Sequence, residues 1–311
     1  MTTTVMAAGV LCWRSVDGEA RVLLVHRTQH KDVSIPKGKV DPGELLPTTA
    51  VRELREETGV TASLGAPLGT VSYTLPNGRP KEVHYWSAEV TDHALEIARF
   101  RPNEEISSLE WLTVDKARKK LDYPHDVAIL DTFAARLAAG DARTFALIAL
   151  RHGKAVTPGS WDGPDADRPL LHRGTQQAEA IVPALRAFAP ERILSSTARR
   201  CLETVAPLAA AAELEIKSTD RISQDAFEDG RDDVPGVVAK RIRRAVTAVL
   251  CSHGPVLPAI VAEVARTTHA TDSGELQRAG ILGTAEFAVV HLSVEHPRRG
   301  IVAVETHGSG V

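Results

Sequence analysis

Gly38, Glu44, Arg52, Glu53, Glu56, Glu57 and Gly59 stand at fixed offsets, with aliphatic Leu54 and Val60 in register. A chance match to so many fixed positions is on the order of one in a million at ordinary residue usage. On a helix, Glu53, Glu56 and Glu57 fall within about 100° of one another, away from the Ala50, Val51, Leu54, Thr58 stripe. Like charges at i, i+3 and i+4 repel, so a cation is expected beside them. Carboxylate oxygens without histidine or thiolate partners select Mg²⁺, with Mn²⁺ second, and Mg²⁺ commonly shares its shell with substrate phosphates. The chemistry implied is hydrolysis of a phosphoanhydride, one carboxylate taking a proton from the attacking water.

A second set lies further along. The apolar run Phe145 to Leu150 ends in Arg151-His152-Gly153, and Thr247 to Cys251 ends in Ser252-His253-Gly254. Ser195-Ser196-Thr197-Ala198-Arg199-Arg200 follows a third short run. Two histidines and two arginines at strand ends can converge on one phosphate, a neutral imidazole attacking phosphorus while guanidinium groups hold its oxygens.

Gly38 to Val60 resembles the Nudix box, G-x5-E-x7-R-E-U-x-E-E-x-G-U with U aliphatic, without a departure. The resemblance implies a Nudix hydrolase domain, an αβα sandwich around a mixed sheet. Glu53, Glu56 and Glu57 would be metal ligands or base, Arg52 would orient them, and Glu44 would support from outside. Gly38 would let the loop backbone approach the metal, and Glu105 would add a ligand from a later loop. Lys37 and Lys39 suit phosphate by charge and position. Tyr73, Tyr85, Trp86 and Tyr123 supply most of the stacking surface for a base, with Tyr85 the chosen contact.

The second set resembles the histidine phosphatase superfamily, and Asp167-Arg168-Pro169-Leu170 with Arg173-Gly174 is similar to its SixA-type branch. This implies His152 as nucleophile, Arg151 and Arg200 as phosphate clamps, and His253 as second histidine. Thr197, Ala198 and Cys201 depart from the family pattern. Where many members carry a general-acid Glu the chain reads Ile222-Ser223-Gln224-Asp225, so Asp225 or Glu228 would substitute, or no efficient acid exists. A Nudix domain followed by a SixA-like domain is the arrangement of actinobacterial MutT-type proteins. That resemblance implies hydrolysis of 8-oxo-GTP and 8-oxo-dGTP, with diadenosine polyphosphates as further substrates. The alternatives are a primarily diadenosine polyphosphate hydrolase, or a Nudix enzyme whose second domain only binds phosphate or serves as scaffold.

The elements that must position these residues fall into two α/β domains: 1–138, a linker at 139–143, and 144–311. In the first, strands run from Val5 to Trp13 and Arg21 to His26. A helix from about Pro47 to Thr58 follows, then a hairpin from Gly69 to Leu75 and Glu82 to Val90 around Asn77-Gly78. A strand near Leu109 to Leu112 and a helix from Asp126 to Leu137 complete it. The second alternates buried strand and helix, as expected of a largely parallel sheet, with helices at Gly174 to Phe188, Ala198 to Ala212, Val234 to Ala245 and Val256 to Arg266. It closes on a hairpin from Glu286 to Val294 and Ile301 to Glu305.

The 37 basic and 40 acidic residues leave no basic surplus to hold a nucleic-acid backbone. Cys12, Cys201 and Cys251 form no CxxC pair, and no stretch suits a membrane span or signal peptide. Expected partners are small nucleotides, without nucleic acid or membrane and with self-association through domain contacts left open. The expected location is cytoplasmic.

Overall fold

A computed structural model describes residues 3–311, which divide into two compact units at the Arg143–Thr144 boundary. Unit 1 contains β1 (Val5–Val16), β2 (Glu19–Arg27), β3 (Val33–Ser34), β4 (Lys37–Lys39), α1 (Leu46–Thr58), β5 (Pro67–Thr74), β6 (Pro80–Glu89), α2 (Asp92–Ile97), β7 (Ile106–Thr113), α3 (Val114–Lys120) and α4 (Pro124–Ala139). Its sheet runs β3-β2-β1-β6-β5, with β4 paired to β1 and β7 to β2. Only β1 and β6 run parallel, which makes the sheet mixed.

The helix that carries the glutamates begins and ends where local chemistry dictates. Pro47 sits in its first turn, where no N–H is needed, and Gly59 closes it at φ 70°, its N–H donating to the Arg55 carbonyl. Leu54 and Ala50 anchor it to the sheet. The expected separation of the glutamates from the buried stripe is incomplete. Glu57 is only 7% exposed, because α1 lies against β4 and its fourth turn is covered by the preceding loop.

Unit 2 contains β8 (Thr144–Arg151), α5 (His172–Ala180), α6 (Val182–Ala187), β9 (Arg192–Ser196), α7 (Arg199–Ala212), β10 (Ile216–Thr219), α8 (Gln224–Glu228), α9 (Val234–Arg244), β11 (Ala248–Ser252), α10 (Leu257–Thr268), α11 (Gly274–Gly280), β12 (Phe287–Ser293) and β13 (Ala303–His307). The order is β10-β9-β11-β8-β12-β13. The first four strands are parallel, and β12 and β13 close the sheet antiparallel. The carboxyl ends of β8, β9 and β11 therefore lie side by side, where α/β folds place their sites.

The helix expected over Gly174 to Phe188 is two helices. Pro183 has no N–H to give the carbonyl four residues back, so the chain restarts at Val182. Helices α2 and α3 and strand β10 have no apolar stripe to announce them, with none, one and none of their residues fully buried. Among the described residues no helix is long and apolar enough to cross a membrane.

Candidate active sites

In unit 1 the acidic helix face meets β4. Arg52 organises it: Nε and Nη2 donate to the two oxygens of Glu44, both at 2.9 Å, and Nη1 donates to Glu53 at 2.7 Å and Glu56 at 3.0 Å. Nη2 also reaches the Lys39 carbonyl at 2.9 Å, tying helix to loop. The Arg52 bonds, with help from the Thr49 hydroxyl, hold the Glu44 carboxyl below the usual range. A Cβ at Gly38 would stand 1.9 to 2.1 Å from the Glu53 carboxyl atoms. Only a glycine lets loop backbone and carboxylate share that space.

Glu57 accepts from the Lys37 backbone N–H at 2.9 Å. Burial pushes its carboxyl up to about 8, the Lys37 charge opposing and Glu53 and Glu105 adding to the rise. Burial likewise raises Glu53, with Arg52 opposing and Glu56 and Glu105 reinforcing. Glu105 enters from the loop before β7, its N–H held by the Asn103 side chain at 2.8 Å. Four carboxylates thus crowd one face with too little positive charge to balance them.

A divalent cation fits that donor set: hard oxygens, destabilised as anions, against backbone that approaches closely. Among the described residues no three His, Cys, Asp or Glu side chains are already gathered to hold a metal. Arg52 draws Glu53 and Glu56 toward itself, so the carboxylates must turn to grip an ion.

Beside this face lies a cluster of rings and cations. The His125 ring stacks between Tyr73 and Tyr123, each at 5.1 Å between centroids. The Lys81 ammonium lies 5.8 Å from the Tyr73 ring. Burial, with Lys37, Lys39 and Arg27 nearby, lowers Lys81 to about 8. Arg27 donates to Asp32 at 2.6 Å and to the Tyr123 hydroxyl at 3.2 Å. Tyr85, the expected base contact, is corrected here. It is 1% exposed, an inward residue of β6 pressed on Gly9, and its hydroxyl donates to buried Asp126 at 3.2 Å. Trp86 is also core. Lys37 is half-buried and bonded to Ser34 at 3.1 Å, while Lys39 is exposed. Sequence reasoning missed Lys81, His125 and Arg27. The one available signal was that Lys81 and Tyr73 flank the same Asn-Gly turn.

In unit 2, Arg151, His152 and His253 come together at the sheet's carboxyl end. The imidazoles stand edge to face, 5.3 Å between centroids. His152 Nδ1 lies 2.8 Å from the Gly153 carbonyl, which can only accept, so Nδ1 carries the proton and Nε2 the lone pair. Burial lowers His152 to about 4, the Gly153 carbonyl opposing and Arg200 and Arg151 reinforcing, so the ring is neutral at ordinary pH. Arg200, 1% exposed, donates from Nη2 to His253 Nδ1 at 3.1 Å, which leaves His253 Nε2–H to donate to Ser196 Oγ at 2.8 Å. Burial, the neighbouring His152 and Arg200 lower His253 to about 2. Cys201, a departure from the family pattern, places its sulfur 3.5 Å from the same nitrogen.

The clamps are held from behind. Arg151 Nη1 donates to the Leu282 carbonyl at 2.7 Å, and its guanidinium lies over Gly254. Arg200 pairs with Asp165 at 2.8 Å. Arg151 Nε and Arg200 Nε are buried with no hydrogen-bond partner among the described residues, as expected of donors awaiting a ligand. Gly153 and Gly174 face each other so closely that a Cβ on Gly153 would meet the Gly174 carbonyl at 2.8 Å. Glu228 accepts from Gln224 at 2.7 Å. Among the described residues neither it nor Asp225 makes a hydrogen bond or ion pair with Arg151, His152, Arg200 or His253. The nearby carboxylate is Asp165. Its burial works to raise the pKa, but Arg168 and Arg200 outweigh it and hold the group below the usual range.

The NUDIX domain family matches residues 4–133, and the histidine phosphatase superfamily (branch 1) matches 147–232. Both halves match together in one relative, the 8-oxo-(d)GTP phosphatase of Mycolicibacterium smegmatis, 36% identical over 267 residues that cover 83% of this chain and 80% of that protein. The chain belongs to this two-domain Nudix and histidine phosphatase family. It is a hydrolase by membership. The asymmetrical bis(5'-nucleosyl)-tetraphosphatase of Rattus norvegicus is 44% identical over 85 residues, covering 26% of this chain and 56% of the rat protein. Among solved structures, a C. elegans Ap4A hydrolase binary complex is 30% identical, covers 44% of this chain and 99% of its own, and has a TM-score of 0.40.

Proposed function

We propose that unit 1 hydrolyses phosphoanhydride bonds of oxidised guanine nucleotides, 8-oxo-GTP and 8-oxo-dGTP, with Mg²⁺ held by Glu53, Glu56, Glu57 and Glu105 near the Gly38 backbone. The observation that carries this reading is the Arg52-ordered carboxylate set closed against a loop that only glycine allows. The ion, when bound, neutralises phosphate oxygens and orients water. Glu53 or Glu57, whose basicity burial raises, accepts the proton of that water. Lys37, Lys39 and Lys81 meet the phosphate chain, and Tyr73 and Tyr123 offer the base a stacking surface. The M. smegmatis relative supports the oxidised guanine substrate. The rat relative supports a second reading, diadenosine polyphosphates, at the same site.

In unit 2, His152 Nε2 attacks phosphorus and carries the phosphoryl group until water removes it. Arg151 and Arg200 balance the charge on its oxygens, and His253, held between Arg200 and Ser196, packs edge to face against the nucleophile. With Asp165 held ionised, substrates whose leaving groups need no proton are favoured.

Glu57→Gln and His152→Ala in the full chain, each assayed with 8-oxo-dGTP, a diadenosine tetraphosphate and p-nitrophenyl phosphate, test both sites. Glu57→Gln is expected to remove nucleotide cleavage alone, and His152→Ala phosphomonoester cleavage alone. Nucleotide hydrolysis unchanged in Glu57→Gln overturns the first assignment. Unchanged p-nitrophenyl phosphate turnover in His152→Ala overturns the second.

A further inference from the structure

The core-facing stripe of α9 contains a charge. Val234, Val237, Val238 and Ile242 are buried, and Arg241 takes the next position of that stripe at 3% exposure. Its Nε and Nη1 are buried without a hydrogen-bond partner among the described residues. The stem can cover apolar surface as long cationic side chains do, but such a stem ordinarily delivers its head to water or to an acid. Here two of the head's three nitrogens stay inside. Its charged neighbours are Arg244 and Arg192, so burial and like charge together depress its pKa with no carboxylate opposing. Lys240 stands in the same field, lowered by Arg244, Arg241, Lys217 and Arg221. An unpaired buried guanidinium is among the costlier arrangements a fold can hold, and an anion that completes it removes the cost.

The place is distinct from the catalytic end. Arg192 opens β9 and Arg241 lies in the last turn of α9, so the cluster lies at the amino ends of the parallel strands, whereas Arg151, His152 and His253 stand at their carboxyl ends. An open groove of about 610 Å³, lined by Ile242, Arg243, His296, Pro297, Arg298 and Arg299, begins at the same turn of α9.

We propose that this end of unit 2 is a second anion site that binds a linear oligophosphate, with Arg241 as the buried donor and Arg192 and Arg244 at its mouth. Several guanidinium forks around one position match a doubly or triply charged phosphate chain better than a single carboxylate. A nucleic-acid backbone or membrane surface would be met by exposed cations and would need no buried donor. The oligophosphate is either free or the phosphate chain of a nucleotide, the two sharing the same recognition chemistry.

Calorimetric titration of the full chain in EDTA with inorganic pyrophosphate tests it, because without divalent ions the acidic face of unit 1 repels the probe. Wild type is expected to bind two equivalents. Arg200→Ala should lose the catalytic-pocket equivalent, and Arg241→Leu the other. Arg241→Leu replaces a buried charge with an apolar side chain, which folds tolerate. Arg192→Gln with Arg244→Gln changes only exposed residues and should weaken the second equivalent about a hundredfold, the scale of two lost charge-assisted hydrogen bonds at about 1.4 kcal/mol each. A parallel titration with guanosine 5'-(β,γ-imido)triphosphate separates the sources. Tighter binding than pyrophosphate that vanishes in Arg241→Leu assigns the nucleotide, and equal binding assigns the free oligophosphate. Unchanged stoichiometry and affinity in Arg241→Leu, or in the double glutamine variant, overturns the proposal.

Discussion

Gly38→Ala isolates the geometry of the unit 1 site without touching a charge. The new Cβ would stand 1.9 Å from Glu53 Cδ. Non-bonded carbons settle at about 3.5 to 4.0 Å, so the carboxyl must retreat by roughly 1.5 Å or more. That retreat breaks the 2.7 Å bond from Arg52 Nη1 and moves a proposed metal ligand. A misplacement of about 1 Å costs on the order of 10²-fold in rate, or about 2.7 kcal/mol of barrier. The assay is kcat and KM for 8-oxo-dGTP with saturating Mg²⁺, beside p-nitrophenyl phosphate turnover by unit 2 of the same chain as a control for folding. The expected result is a kcat near one hundredth of wild type, a small change in KM and unaltered unit 2 turnover. Gly38 is extended strand rather than left-handed, so backbone strain adds nothing to the cost. A Gly38→Ala chain with wild-type kcat would refute the claim that close approach of loop and carboxylate is what this glycine supplies.

Removing divalent ions with EDTA should abolish nucleotide hydrolysis and leave p-nitrophenyl phosphate turnover intact, read in one sample before and after Mg²⁺ is restored. Lys81 is charged below about 8 and neutral above, so KM for nucleotides should rise as pH passes upward through 8. Lys81→Arg should flatten that rise, because a guanidinium stays charged. His152 and His253 are held neutral, near 4 and 2 against an ordinary 6.5. The unfolded chain therefore takes up protons that the native state refuses. Their stability is intact above pH 6.5 and is lost as pH falls from there toward 4, at up to about 1.4 kcal/mol per unit for each ring. Thermal unfolding against pH should show this slope reduced in His152→Asn, and an unchanged slope would place the acid sensitivity elsewhere.

The carboxylate helix and the paired histidines are legible in the chain of letters because their chemistry is periodic or local. A stripe at 3.6 residues, a proline in the first turn and a glycine after the last define α1, and buried runs ending in His-Gly define two strand ends. Short polar elements such as β10 and α3 are not legible in that way, since β10 forms by backbone pairing with β9 and α3 buries only Ala117, neither of which leaves an apolar pattern.

Residue types and spacing by themselves pointed to two phosphate-chemistry domains, which the family matches bear out, and nominated the glutamates, arginines and histidines proposed to serve them. Tertiary structure alone decided what surrounds those residues. Leu75 bonds to Arg79 across Pro76-Asn77-Gly78, with Gly78 left-handed at φ 79°, and this three-residue turn sets Tyr73 opposite Lys81. A two-residue Asn-Gly turn would have set Thr74 there. One residue of register moves a side chain to the other face of a strand, so whether an aromatic ring stands beside that lysine depends on the turn. The same holds for Tyr85, turned into the core, and for Arg241, whose uncompensated burial depends on which charges other elements bring near. Local sequence sets periodicity and end signals, whereas burial and charge pairing are sums over distant segments that only the folded chain brings together.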